Sequence, residues 1–328
     1  MAGKKKINRR KKATGRTQPR PQRTARQAEA EGGSPQAFDR RSMDKTMADI
    51  GQLLNEQEFE SIDEANAFME VMMASGGPPA FTPTTPLEEA QELMYEAFEA
   101  RGRQRVRLAR QALEVCPDCA DAYVLLAEET AGAAREALDL YRKGVEAGER
   151  ALGPRFFEDN EGYFWGVVES RPYMRARFGL AQVLWATGDK QSAIEHAQEM
   201  LRLNPGDNQG VRYLLMLWLL DTERDEEMAA LVEQYRDDGT ADGMYPQVLF
   251  AYRQSGDSQQ ARALLREAMK WNPHVPDYLL NRKRPSLPSG PLVTLGSEDD
   301  AANHAFYALP LWRKTPGALE WLATRVGG

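Results

Sequence analysis

From Ser42 onward apolar residues return at helical rather than strand spacing, whereas the stretch before it has no hydrophobic period. Met43, Met47, Ile50, Leu53 and Leu54 mark one amphipathic helix. A second opens at Ser61, where Ser61-Ile62-Asp63-Glu64 has the form of a capping box and Ile62, Ala65, Phe68, Met69 and Met72 share the apolar face. Together they predict a helical hairpin over residues 42–73 whose apolar sides meet each other or a neighbouring element. Residues 74–85 read as a linker, because Gly76-Gly77-Pro78-Pro79 and Pro83 interrupt both helix and ladder hydrogen bonding. Thr85-Pro86-Leu87-Glu88 then starts a helix: the threonine caps, the proline sits where its missing N–H is harmless, and the glutamate closes the box. From there to about Asn272 short helices follow one another, and strand-like alternation is absent.

These helices recur in pairs. Between Arg177 and Pro205, Leu180-Ala181 lie on a first helix, Gly188-Asp189 in a turn, Ala193 on a second helix and Pro205 beyond its end. Tyr245, Tyr252, Gly256-Asp257, Ala261, Ala268 and Pro273 repeat that order, and Pro205 and Pro273 stand 68 residues apart, two periods of about 34. The unit between them, Asn208 to about Gly239, keeps the apolar face (Val211, Leu214, Leu215, Trp218, then Met228, Leu231, Tyr235) without the small residues. Upstream, Tyr123, Leu126, Ala127, Ala137 and Tyr141 form another copy, and Met94, Phe98, Gly102, Ala112 and Pro117 a weaker first one. Small residues recur because paired helices approach closely only where a side chain is short, and large ones fill the space beside that contact. Over Pro86 to Pro273 the chain resembles tetratricopeptide-repeat proteins, which implies an all-α helical solenoid with an array at residues 86–273.

The spacing leaves about twenty residues more than this period needs between Pro117 and Pro205. They fall near 152–172 and include Phe156, Phe157, Tyr163, Phe164 and Trp165. Such a run of aromatics serves either as a plug in the seam between helix pairs or as an element that binds a partner. After the array, Trp271-Asn272-Pro273-His274-Val275-Pro276-Asp277-Tyr278-Leu279-Leu280, Gly296-Ser297-Glu298-Asp299-Asp300-Ala301, Ala305-Phe306-Tyr307-Ala308 and Leu311-Trp312-Arg313-Lys314-Thr315-Pro316-Gly317-Ala318-Leu319 resemble the C-terminal region of the suppressor-of-tumorigenicity-7 family. Residues 274–328 are expected to form a helical cap: one helix after Ser297 that buries Ala301, Ala305, Phe306 and Leu309, and a last one after Thr315-Pro316 with Leu319, Trp321 and Leu322. Such a pair would close the open end of the array.

The resemblance to tetratricopeptide repeats also locates a groove, because positions two, five, six, nine and twelve of each first helix line the concave side in that family. Here they give Arg175, Phe178, Gln182 and Trp185 in the third repeat, Arg212, Tyr213 and Met216 in the fourth, and Phe250 and Arg253 in the fifth. The Lys/Asn/Asn carboxylate clamp of chaperone-binding relatives is missing: positions five and nine read Val124/Glu128, Phe178/Gln182, Arg212/Met216 and Pro246/Phe250. What remains is an aromatic and arginine-bearing surface composed like a peptide hot spot. Arg175, Arg212 and Arg253 are expected to pair with acidic groups on a ligand.

Charge adds a second device. The 328 residues hold 42 Lys and Arg against 49 Asp and Glu, a net −7. The first 26 residues alone contribute five Lys, six Arg and no acid, which leaves 31 basic against 49 acidic residues and −18 for the rest. Residues 1–41 therefore read as a disordered basic arm, and Lys4, Lys5, Lys6, Arg9, Arg10, Lys11 and Lys12 as candidate contacts to nucleic acid or ribosome. Cys116-Pro117-Asp118-Cys119 follows a helix rather than a strand and has no histidine pair near it, so it is expected to be structural rather than a redox or zinc site. Phosphate-cradling glycine loops, nucleophile elbows and His-Glu metal motifs are absent. The expectation is a cytoplasmic, non-catalytic adaptor that binds a protein or peptide segment, with no cofactor, metal, small-molecule substrate or membrane partner. The alternative is a nucleic-acid- or ribosome-associated factor that docks through the arm.

Overall fold

The Thr85 hydroxyl accepts a hydrogen bond from the Glu88 N–H (3.2 Å), and the Glu88 carboxylate accepts from the Thr84 and Thr85 N–H groups (2.7 and 3.0 Å). The array thus opens on the reciprocal cap its sequence spells. The structure is a computed structural model that describes residues 39–55, 57, 59–77, 82–287 and 293–327. The basic candidates from Lys4 to Lys12 lie outside the described residues.

Two helices precede the array: α1 (Met43–Asn55), after a 3₁₀ turn at Arg40–Ser42, and α2 (Ile62–Ala74). Five helix pairs then follow. They are α3 (Pro86–Glu99) with α4 (Arg103–Val115), α5 (Ala120–Thr130) with α6 (Ala134–Asp159), and α7 (Arg171–Thr187) with α8 (Lys190–Leu203). The last two are α9 (Val211–Asp221) with α10 (Asp225–Gln234) and α11 (Ala241–Ser255) with α12 (Gln259–Trp271). Within each pair the helices pack on each other, and first helices of neighbouring repeats also touch, α3 to α5, α5 to α7 and α9 to α11. First helices therefore form the inner wall and second helices the outer one.

The turns explain which copies are easy to see. In the third repeat Gly188 takes φ 94° at the end of α7 and Asp189 caps α8 through the Ser192 N–H (3.2 Å). In the fourth the turn has no glycine, and Glu223 adopts φ 58°, a conformation costing about 1 kcal/mol for a residue with a Cβ. Close packing explains the small residues: a Cβ on Gly179 would fall 2.1 Å from the Tyr141 ring, and one on Gly148 would fall 2.8 Å from the Tyr173 Cβ.

The aromatic stretch lengthens the outer wall of the second repeat. Helix α6 bends at Gly153, where φ is 71° ahead of Pro154, and runs on to Asp159. Two 3₁₀ turns, Phe164–Gly166 and Val168–Ser170, then lead into α7. Phe164 is fully buried between Phe156, Phe157 and Tyr173, with ring centroids 5.0 to 6.1 Å away, while Tyr163 is exposed.

The core runs along the whole array. One apolar cluster joins the first repeat to α5, and another continues from Val124 through the remaining repeats to Trp312 and Leu322. Each fully buried Leu or Ile along it contributes about 1.5–3 kcal/mol. At the C-terminal end Asn272 is completely buried: its amide donates to the Ser297 carbonyl (3.0 Å) and Asp300 (2.9 Å), and its side-chain oxygen accepts from the His274 N–H. That network ties α13 (Val275–Leu279) and α14 (Glu298–Lys314) to the last repeat and accounts for the Asn-Pro-His string.

Two side-chain expectations are corrected. Helix α14 buries Ala301, Ala305 and Leu309 but leaves Phe306 46% exposed, because it turns its other face to α9 and α11 on the inner wall. The apolar face of α2 is also only partly covered: Met72 is buried, whereas Ile62 is 80% exposed, as its place in the first turn of the helix faces solvent. The last helix, α15 (Ala318–Val326), packs Trp321 against Tyr252 with ring centroids 4.8 Å apart and planes tilted by 31°.

Candidate functional site

The inner wall has two dissimilar halves. On the first three repeats it carries acids and arginines. Asp121, at position two of α5, is fully buried and takes both the Nε (2.8 Å) and Nη2 (2.6 Å) of Arg175, which holds the same position in α7. Gln91 of α3 donates a further bond to Asp121 (3.1 Å). The third partner is unexpected. Asp44 of α1 accepts from Arg175 Nη1 (2.6 Å) and from Arg171 Nη1 (2.5 Å), bridging 131 and 127 residues of chain. Arg175 is therefore already occupied, and the expectation that it awaits a ligand's acid is corrected: the chain supplies that acid itself.

Three more pairs line up along the segment. Arg41 reaches Glu128 (2.9 Å) and lies over the Phe98 ring at 4.5 Å. Lys45 binds Glu92 (2.8 Å), and Arg105 binds Asp39 (2.9 Å). Residues 39–55 thus cross the inner helices of repeats one to three. Beside them a partly open cleft of about 160 Å³ is lined by Ala48 and Gln52 on one side and by Gln91, Tyr95, Pro172 and Tyr173 on the other. Burial and the nearby Asp121 push the Cys119 thiol up, away from the thiolate that redox or metal chemistry uses, and this places the Cys-x-x-Cys in the packing of the first seam.

The half on repeats three to five is aromatic and open. Trp185 stacks on Trp218 with ring centroids 4.8 Å apart and planes 8° apart. With Gln182, Leu217, Tyr307 and Leu311 the two indoles line a cleft of about 520 Å³ between α7, α9 and α14. Leu311 also borders a second cleft of about 340 Å³ that holds Tyr252, Arg253 and Lys314. Of the sequence candidates, Gln182, Trp185 and Arg253 stand on these two clefts.

The others do not come together there. Met216 is fully buried, and Phe178 and Phe250 are half-buried against the core. Arg212 donates to Asp207 (2.9 Å) and Asp238 (2.8 Å) and covers the Tyr213 ring at 4.2 Å. It works as an internal clip, a correction to its expected pairing with a ligand. Arg253 gives Nη1 to the Leu220 carbonyl (2.6 Å), while Nη2 lies 3.7 Å from the exposed Glu223 and has the loosest commitment of the three arginines. Sequence reasoning missed Asp121, Asp44 and Tyr307. Asp121 carried a signal, an acid at position two of one repeat and an arginine at position two of the next. Asp44 and Tyr307 carried none, because their neighbours are distant in the chain.

With the geometry in hand, comparison with known proteins places the chain. The model of the ST7 protein family matches residues 81–157 and 251–326, just under half of it, and a tetratricopeptide repeat model matches residues 161–208. The Protein ST7 homolog of Drosophila melanogaster is 26% identical over 261 residues, which cover 72% of this chain and 48% of that one. The human Suppressor of tumorigenicity 7 protein-like is 27% identical over 261 residues, 72% of this chain and 45% of that one. The chain spans about half the length of the curated relatives it matches. The solved structure of YrrB, described as a tetratricopeptide-repeat protein with an unusual peptide-binding site, covers 67% of this chain and 91% of its own at 17% identity, with a TM-score of 0.37. The chain is an all-α protein with tetratricopeptide-type repeats, and it resembles the ST7 proteins in its first two repeats as well as in its C-terminal region. A tetratricopeptide-like fold suits a protein-interaction scaffold. Among the described residues no helix is long and apolar enough to cross a membrane.

Proposed function

We propose that the protein is a non-catalytic, cytoplasmic adaptor that takes a protein or peptide segment into the open half of its inner wall. The observation that carries this reading is the cleft between α7, α9 and α14, where stacked indoles and the 47% exposed Tyr307 offer rigid apolar area beside polar rims at Gln182 and Asp221. Aromatic side chains in a concave setting supply contact area at low entropic cost, which is why they dominate binding hot spots. In the adjoining cleft Arg253, whose Nη2 is loosely held, adds positive charge for a segment that carries an acid, while Lys314 is paired with Asp221.

A photo-crosslinking residue placed at Gln182 in the full chain tests the reading. Crosslinked polypeptide is expected, and its yield should fall at least tenfold on Trp185→Ala/Tyr307→Ala, with the helical signal unchanged, since about 1.4 kcal/mol of contact is enough for that factor. Yield that survives this double change, yet vanishes on addition of nuclease and on removal of residues 1–37, would instead place binding on the basic arm.

A further inference from the structure

The covered half of the inner wall makes a second, independent point, which does not rest on the reading of the open cleft. The segment Asp39–Asn55 sits there the way a bound peptide would: it comes from outside the repeats, crosses three of them, and at Glu128 and Arg175 meets positions that line the groove.

How it is held matters. Its apolar residues do part of the work: Met43 is 58% and Met47 is 47% exposed, but Ile50, Leu53 and Leu54 are half-buried and Ala48 packs against the core. Ion pairs supply the rest of the hold. Lys45–Glu92 sits at a partly exposed margin, where such a pair contributes about 0–1 kcal/mol and is screened by salt, whereas Arg41, which pairs with both Glu128 and Asp39 and lies over the Phe98 ring, is mostly buried. Asp44 is different, because the wall beneath it requires a carboxylate. Arg171 and Arg175 bring two positive charges to a nearly buried place, and Asp121 supplies a single negative one. Whatever covers this spot must bring the second, or leave an arginine uncompensated.

The fit is also incomplete. Asp44, Ala48 and Gln52 follow one another at spacing four and face the wall together. Asp44 meets its partners well, but Ala48, one turn on, stops short of filling the cleft of about 160 Å³. A cleft of that volume has room for a larger side chain at the place of Ala48.

We propose that the inner wall of repeats one to three is a docking site for an amphipathic helix of a partner protein, and that Asp39–Asn55 is the chain's own stand-in for it. The partner helix offers a carboxylate to Arg171 and Arg175 and, four residues later, a bulky apolar side chain to the cleft beside Ala48. It displaces α1 because it keeps the carboxylate and fills what Ala48 leaves empty. The open cleft on repeats three to five is then a separate site, and the two are switched independently.

The test uses the full chain and a fluorescein-labelled synthetic peptide of residues 39–55 bearing Ala48→Phe, read by anisotropy. Binding to the Asp44→Asn chain should be at least tenfold tighter than to the unmodified chain, whose own segment competes. The same peptide should bind that chain at least tenfold more tightly than the unsubstituted 39–55 peptide does. Adding Asp44→Asn to the peptide should remove at least tenfold of its affinity. Equal binding to the two chains, no gain from Ala48→Phe, or no binding at all would overturn the proposal and make the segment a permanent part of the fold. Where Asp44→Asn costs the chain its helical signal, Lys45→Ala at the partly exposed margin takes its place under the same criteria. Trp185→Ala/Tyr307→Ala should leave these affinities unchanged, so failure here and failure of the open-cleft reading are told apart.

Discussion

Repeats one to three and repeats three to five are built on one plan, yet the first group presents a charged wall that the chain covers itself and the second an aromatic wall left open. Position two of the first helix decides much of this. It holds Asp121 in α5 and Arg175 in α7, which lock together and recruit Asp44. In the next two repeats the same position holds Gln209 and Gly243, which bring no charge to clip a covering segment. The fourth repeat keeps an arginine at position five, but Asp207 and Asp238 consume it within the repeat. A conserved plan of packing thus leaves the wall free to vary, and two or three side chains set whether it is occupied.

The sharpest way to break this comparison is to remove one arginine from each half. Arg175→Met leaves the fully buried Asp121 with Gln91 as its remaining partner, and uncompensated buried charge of that kind costs about 3–5 kcal/mol. Arg253→Met removes a bond to the Leu220 carbonyl and a distant, exposed Glu223, a loss of about 1 kcal/mol. Thermal melts should show a large drop for the first and a small one for the second. Similar drops would mean that the two halves do not differ in the way their ion pairs indicate.

Salt acts on the same contrast more gently. Raising ionic strength from about 0.1 M to about 1 M shortens the screening length from ~10 Å to ~3 Å. Amide exchange in α1 should then rise, because the partly exposed Lys45–Glu92 pair that helps to hold it is screened. Exchange in α14 should stay nearly constant, because Ala301, Ala305 and the fully buried Trp312 hold that helix by apolar burial. Equal responses in α1 and α14 would put the covering segment and the C-terminal helix in one class.

How far these features could be read from sequence depends on the range of the interactions. The helices of the array, the Thr85 cap and the turn at Gly188-Asp189 are local, and the residues that make them lie within a few positions of one another. Trp185 was legible as a groove residue because repeat position fixes which way a side chain faces. Repeat position says nothing about occupancy, so Arg175 looked available although Asp44, 131 residues away, neutralises it. The open cleft was half legible for the same reason. Its α7 and α9 walls follow from the repeat, whereas Tyr307 and Leu311 reach it because α14 folds back along the inner wall instead of only covering the end.

Acid separates the halves by a smaller effect, provided that a group belonging to neither is subtracted first. His196 stands on α8, in the outer wall of the repeat that both halves share. Burial, and then the positive charge of Arg177, push its imidazole down from the ordinary 6.5 to about 4. In the unfolded chain it takes up a proton as pH falls below about 6.5, while in the fold it stays neutral to about 4, so the unfolded state binds more protons in that window and stability falls with pH. Because the ring is partly exposed, the loss amounts to about 1 kcal/mol rather than the full value of the shift. His196→Gln should therefore flatten the dependence of melting temperature on pH between about 6.5 and 4 and change little above it. The covering segment responds through its carboxylates. Burial works against ionisation of Asp39, but its bonds to Arg41 and the charge of Arg105 outweigh that and hold its carboxyl below the usual range. The stability it supplies is present above about 3.9 and is lost as pH falls further. Burial raises Glu128, the partner of Arg41, above the usual carboxylate range, so that pair goes first and Asp39 follows at lower pH. In the His196→Gln chain, faster exchange at α1 should thus appear as pH falls through the carboxylate range, with α14 unaffected until the array itself melts. An α1 that exchanges no faster than α14 before the array melts would show that the segment is not held by these carboxylates.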